Sequence, residues 1–106
     1  MIRPEDLDPI LMNAKRLSIV TLLYLLGPRR MVELVRALGI SWGDLSTHIK
    51  KLEEAGYVRK KRVFTITGDK VYIELTKKGV LAYLELMRKM KKLVSDIEGK
   101  RKTMTS

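Results

Sequence analysis

Residues 41–58 read SWGDLSTHIKKLEEAGYV, and this stretch decides the fold. Ser41 is placed as an N-cap, with Asp44 three residues on in a variant of the capping box. Orphan N–H groups at a helix start would thus find acceptors. Leu45, Ile49 and Leu52 recur at helical spacing and form one buried stripe. At about 3.6 residues per turn, Gly43, Ser46, Thr47, Lys50 and Glu54 fall opposite that stripe. Gly56 suits the left-handed conformation that ends helices, and Tyr57 and Val58 then open a strand. Small polar groups at a helix start with lysines behind them suit a helix laid in a DNA major groove.

Working upstream, Met31, Leu34, Val35 and Leu38 mark the inner face of a short helix over 31–38. Leu38-Gly39-Ile40-Ser41 connects it tightly to the next helix, so the pair has the form of a helix-turn-helix. Before it, Asp8-Pro9 predicts a helix start, with Asp as cap and Pro at the first helical position. That helix is expected to run to about Leu26, its apolar face marked by Ile10, Ala14, Leu17, Val20 and Leu23 or Tyr24. Leu11, Leu22, Leu25 and Leu26 widen the stripe enough for burial on two sides, the core and a partner. Gly27-Pro28 stops it. Residues 1–7 are expected as a loose arm.

Downstream of Gly56 the residues predict a hairpin. With Gly68-Asp69 as a two-residue turn, Ile66 pairs with Val71 and Phe64 with Ile73. Both pairs then share one face with Val58 and Leu75, while Arg59, Lys61, Val63, Thr65 and Tyr72 line the other. A basic hairpin directly after a helix-turn-helix is a wing. Thr76 caps a last helix over 77–98. There Val80, Tyr83, Met87, Met90, Val94 and Ile97 alternate steps of three and four, a heptad seam, with Leu81 and Leu84 beside it and free to return to the core. A helix of that length outreaches a small domain, so a second copy is expected to cover the distal seam. The tail, 99–106, is basic and expected to fray.

Composition agrees with a nucleic-acid partner. Twenty-two Lys and Arg against 12 Asp and Glu leave a net charge of +10 on 106 residues, a balance that favours a polyanion. An apolar fraction of 45% supports a real core in a single domain. Cysteine is absent and His48 is the one histidine, so disulfides, thiolate metal sites and cysteine nucleophiles are excluded. Glutamine is absent and Asn13 is the only asparagine, beside 32% charged residues, a bias found in thermophiles. No convergent acid–base or metal constellation appears, so the chain is read as a non-enzyme without cofactor or metal. The acidic, proline-broken start is unlike a signal peptide and the longest apolar run is too short for a span. A soluble, cytoplasmic, nucleoid-associated protein is expected.

The pattern Ser46-x-His48-Ile49-Lys50-x-Leu52-x-x-Ala55-Gly56-Tyr57-Val58 resembles the recognition-helix segment of the ArsR and MarR winged-helix regulators. Arg16-Leu17-x-Ile19-Val20 and Glu33-Leu34 are similar to that group as well, and the likeness covers roughly residues 8–85. The resemblance implies dimers that bind operator DNA. It does not extend to the Cys and His clusters of metal-sensing ArsR members, which this chain lacks.

The expected architecture is α+β, mainly α with a small β-hairpin: a winged helix-turn-helix over 8–76 with a C-terminal dimerisation helix. Its partners would be double-stranded DNA and a second copy, with no membrane and no metal. The candidate DNA-binding residues are Arg30, Ser41, Trp42, Gly43, Ser46, Thr47, Lys50 and Lys51, with Arg59, Lys61, Arg62 and Lys70 on the wing. Bland readings stand beside these: a solvated helix face, packing of Trp42 over the helix start, and an edge strand protected by charge. His48 is read as structural and hydrogen-bonded locally. Leu11, Tyr83, Met87, Met90, Val94 and Ile97 are the candidate dimer contacts; a membrane-binding basic helix is the weaker alternative. Rival functions are a protein-interaction winged helix in a transcription or replication complex, and a non-specific architectural DNA binder.

Overall fold

The computed structural model describes the backbone of residues 1–105 and the side chains of residues 1–101. Four helices and one antiparallel hairpin follow in the order α1 (Ala14–Leu26), α2 (Met31–Leu38), α3 (Trp42–Glu54), β1 (Val58–Thr65), β2 (Gly68–Leu75) and α4 (Lys77–Thr105). One hydrophobic core joins them. Ile19, Val20 and Leu23 of α1 meet Leu34 of α2, Leu45, Ile49 and Leu52 of α3, Val58 and Ile73 of the hairpin, and Tyr83 and Leu86 of α4. No described helix is long and apolar enough to cross a membrane.

The helix-turn-helix forms as its caps dictate. Glu33 Oε1 accepts from the Arg30 backbone N–H at 3.0 Å, and α2 ends at Gly39 in the left-handed conformation. Ser41 Oγ accepts from the Asp44 N–H at 3.1 Å and so caps α3. The Asp44 carboxylate, however, does not return to Ser41; it pairs with Lys15 of α1. Gly56 takes φ +80° and turns the chain into β1.

Helix α1 begins later than the Asp8-Pro9 signal predicts. Asp8 caps one isolated turn, its Oδ1 accepting from the N–H groups of Ile10 and Leu11 at 2.8 and 3.2 Å. Asn13 is the true N-cap, its side chain accepting from the Arg16 N–H. The turn tucks Leu11 into the core, fully buried. Within the segment expected as a loose arm, Pro4–Asp6 form a 3-10 turn and Leu7 packs against the core. The Tyr57 hydroxyl, by donating to Asp8, ties this region to the end of α3.

The hairpin register also differs from expectation. Thr65 pairs with Gly68 and Lys60 with Ile73, so Ile66 and Thr67 form the turn instead of Gly68-Asp69. Neither turn residue has a positive φ; Gly68, just after them, takes φ +115°. Glycine thus serves at the exit of the turn, where strand pairing resumes, rather than inside it. The slip is even, so Val58, Phe64, Val71, Ile73 and Leu75 still share one face. Burial covers only the base of that face. Val58 and Ile73 are buried, whereas Phe64, Ile66 and Val71 are exposed, because the helices do not extend under the outer half of the hairpin. A third short segment flanks β2: Arg29 exchanges both backbone hydrogen bonds with Ile73, at 3.0 and 2.7 Å.

Thr76 caps α4, its Oγ1 accepting from the Gly79 N–H at 3.0 Å. The helix start lies hard against the α3–β1 joint, and a Cβ on Gly79 would sit 2.1 Å from the Tyr57 carbonyl oxygen. Beyond Glu98, where the sequence predicts its end, the helix continues through Gly99 to Thr105. Its rotation corrects two expectations. Tyr83 is buried in the protomer's own core, its Oη 2.9 Å from Thr21 Oγ1 and its ring 5.1 Å from that of Tyr24. Leu81 and Leu84 stay exposed, and Leu86 takes the core place expected of them.

Candidate nucleic-acid interface

Helix α3 is gripped along one side and bare along the other. Leu45, Ile49 and Leu52 are buried, while Ser41, Trp42, Gly43, Ser46, Thr47, Lys50 and Lys51 are all exposed. Trp42 does not close over the helix start; it is 54% exposed. The Thr47 hydroxyl donates to the Gly43 carbonyl at 3.0 Å and keeps its acceptor capacity outward. A Cβ at Gly43 would meet nothing within 4 Å, so no intramolecular contact asks for glycine there.

Two polar links from α1 fix the pitch of α3. Lys15 pairs with Asp44, and the Lys15 ammonium holds that carboxyl below its ordinary value. One turn on, buried Arg16 donates from Nε to the Ile10 carbonyl at 2.6 Å, and its Nη1 lies 3.2 Å from His48 Nδ1. A guanidinium can only donate, so His48 accepts at Nδ1 and carries its proton at Nε2. His48 is therefore structural as expected, but its partner is 32 residues away instead of local. Partial burial, with the Arg16 charge next in size, lowers its pKa below the usual 6.5. One signal could have pointed to Arg16: it is a charged residue set within the apolar face of α1.

The wing carries cations on both faces, since strand neighbours alternate. Arg59, Lys61 and, across the ladder, Lys70 lie on one face; Lys60 and Arg62 lie on the other. Not all are available to a ligand. Arg59 Nε donates to Glu74 at 2.7 Å, and Lys60 sits 3.7 Å from Glu53 of α3. Among the described residues, Arg30, Lys50, Lys51, Lys61, Arg62 and Lys70 make no ion pair within the protein. The Lys60–Glu53 pair joins the stalk of the wing to the last turn of α3. No group of three or more His, Asp or Glu side chains converges as a metal cage among the described residues.

The candidate dimer contacts divide. Leu11 and Tyr83 are sealed inside the protomer and offer no surface to a second copy; Met87 and Met90 are partly covered by the core. Val94 and Ile97 are more than half exposed.

This arrangement has known counterparts. An uncharacterized protein of Methanocaldococcus jannaschii is 34% identical over 83 residues, which span 78% of this chain and 90% of that one. A transcriptional regulator homologue from Pyrococcus horikoshii OT3 shares the fold with a TM-score of 0.76 at 24% identity, over 83% of this chain and 87% of that one. A MarR family protein from Bacillus stearothermophilus does so with a TM-score of 0.69 at 18% identity, over 83% and 63%. Residues 15–94, which take in α2, α3, both strands, all but the first residue of α1 and the larger part of α4, match the winged helix DNA-binding domain, and the chain belongs to that family.

Proposed function

We propose that this protein is a transcriptional regulator that binds double-stranded DNA with sequence preference, as a homodimer. The observation that carries the reading is the outer face of α3. Gly43, Ser46, Thr47, Lys50 and Lys51 are exposed on a helix whose opposite face is locked into the core and whose start is pinned to α1. Ser46, Thr47 and Lys50 read base edges in the major groove. Gly43 lets the helix approach the duplex closely. Lys51, Arg30 and the unpaired wing cations Lys61, Arg62 and Lys70 bind phosphates and set the register. Two similar structures are those of a transcriptional regulator homologue and a MarR family protein, and this likeness favours regulation over a purely architectural role.

Val94 and Ile97 supply the dimer contact. A 29-residue helix spans about 43 Å, and the molecule measures 65 × 25 × 22 Å overall. The distal part of α4 therefore stands clear of its own domain, with an apolar stripe that a second copy would cover.

Selection of bound sequences from a random duplex pool at near-physiological salt tests both statements. An inverted repeat is expected, with half-sites on one face of the duplex and about one helical turn, or a multiple, apart. Strong low-salt binding with no recovered motif would replace this reading with the architectural one. Absence of binding would replace it with a protein-interaction role.

A further inference from the structure

Two large apolar side chains on the hairpin stand where neither the core nor turn chemistry asks for them. Phe64 is 79% exposed and Ile66 is fully exposed at 107%. Ile66 occupies the first of the two turn positions, a place that favours Gly, Asn, Asp, Pro or Ser on conformational grounds. A β-branched residue gains nothing there from the backbone. The last core contact of the stalk is Ile73, opposite Lys60. Five residues separate Lys60 from the turn, so the tip lies about 17 Å beyond the core.

The tip is ordered. The Thr65 hydroxyl donates to the Gly68 carbonyl at 2.6 Å and lies 3.2 Å from the Thr67 hydroxyl, which braces the turn under Ile66. Immediately behind it the stalk presents Lys61 and Lys70 on one face and Arg62 on the other, with Asp69 the one acidic residue near the tip.

We propose that the hairpin tip is an apolar wedge for the DNA minor groove. Phe64 and Ile66 would enter the groove, partly unstack one base step and bend the duplex, while Lys61 and Arg62 reach phosphates on opposite strands. The minor groove matches this tip in chemistry. It has phosphates along both rims and base edges at its floor, and apolar wedges inserted there open base steps at the cost of stacking. A second tip of the same kind fits poorly, since Lys61, Arg62 and Lys70 of the two hairpins would then face one another. The inference rests on the proposed DNA binding and adds a form of sequence choice to it. Pyrimidine–purine steps deform most easily, so bound sites should place a TA or CA/TG step under the wing.

The test uses the full chain and an A·T-rich duplex of about 30 bp, with a central TA step, 2-aminopurine at that step and a donor–acceptor pair on the ends. The wild-type protein should bend this duplex by about 20–90° and raise the 2-aminopurine fluorescence. The double variant F64S/I66S removes no core contact, so its thermal melting should match wild type. It should bind within about tenfold of wild type with the same salt dependence, since its phosphate contacts remain, yet lose the bend and the fluorescence rise. An equal bend in the variant, or wild-type binding without any bend, overturns the wedge while leaving DNA binding intact. An unchanged bend with lost pelleting on anionic lipid vesicles overturns it in favour of a membrane contact. Failure of the wild-type protein to bind any duplex at low salt overturns the wedge and the DNA-binding reading together.

Discussion

The guanidinium that Arg16 presents to α3 can only donate, which makes His48 the side chain that must stay neutral. Around His48, Asp44 favours the proton while Arg16, Lys15 and Lys51 oppose it, and partial burial opposes it most. The folded pKa therefore lies below the unfolded one. Between the two values the unfolded chain binds more protons, so this group's contribution to stability is complete above about pH 6.5 and declines as pH falls below it. Denaturant midpoints at about pH 5 and pH 7.5 should show the loss in wild type. His48→Asn, whose Oδ1 can accept the same guanidinium bond, should remove that step; an unchanged step would assign the pH dependence to carboxylates. On the outer side of the same helix, Lys50→Ala should cut discrimination between specific and non-specific duplexes by about 1–3 kcal/mol. Lys61→Ala should weaken both alike and reduce the salt slope by about 1. Titrations on the two duplexes separate these outcomes, and an unchanged preference in Lys50→Ala would count against α3 as the reader.

The decisive contact between elements is one that composition cannot show. Gly79 lies in the first turn of α4, where helix propensity alone makes Gly79→Ala stabilising by about 1 kcal/mol. The Tyr57 carbonyl 2.1 Å from the added methyl reverses the sign. Because a backbone oxygen must yield, a loss of about 1–3 kcal/mol or more is expected. Thermal melting checks it directly, and a raised midpoint would mean that α4 slides away from the joint at little cost. The same distinction explains what was legible in the sequence. Helix α3 could be read almost residue by residue, because its caps and its stripe are local signals that agree. The faces of the hairpin were legible too, since alternation survives an even slip in register. The turn itself is not, because its glycine follows the two turn residues instead of lying between them. The start of α1 was missed for a similar reason: Asp8-Pro9 is a genuine cap, but for one turn, and Asn13 caps the helix proper. The outer surface of α3 could be listed in advance, while its anchoring through Arg16 depends on a contact 32 residues apart that no periodicity encodes.

At the scale of the whole molecule, α4 serves two environments with one stripe. The seam of threes and fours runs unbroken from Tyr83 to Ile97, and nothing in the spacing marks where the core stops covering it. The structure draws that boundary between Met90, packed against the core, and Val94, which is 53% exposed. The proximal seam residues therefore hold the protomer together, and the distal ones are those free to hold two protomers. Substitution tells the two apart. Tyr83→Glu should unfold the domain, whereas V94E/I97E should leave thermal melting of the domain intact and produce monomers in sedimentation. Loss of the second half-site contact should then lower operator affinity by about 10²-fold, the scale at which linked binding exceeds single binding. Dimers that survive the double change would move the interface to the exposed shoulder of Tyr24, Leu25, Leu81 and Leu84. Leu84→Glu would then be the variant that separates the copies. A two-fold axis through the distal seam and one through the shoulder would hold the two α3 faces at different separations. The half-site spacing recovered by sequence selection must therefore agree with whichever substitution yields monomers.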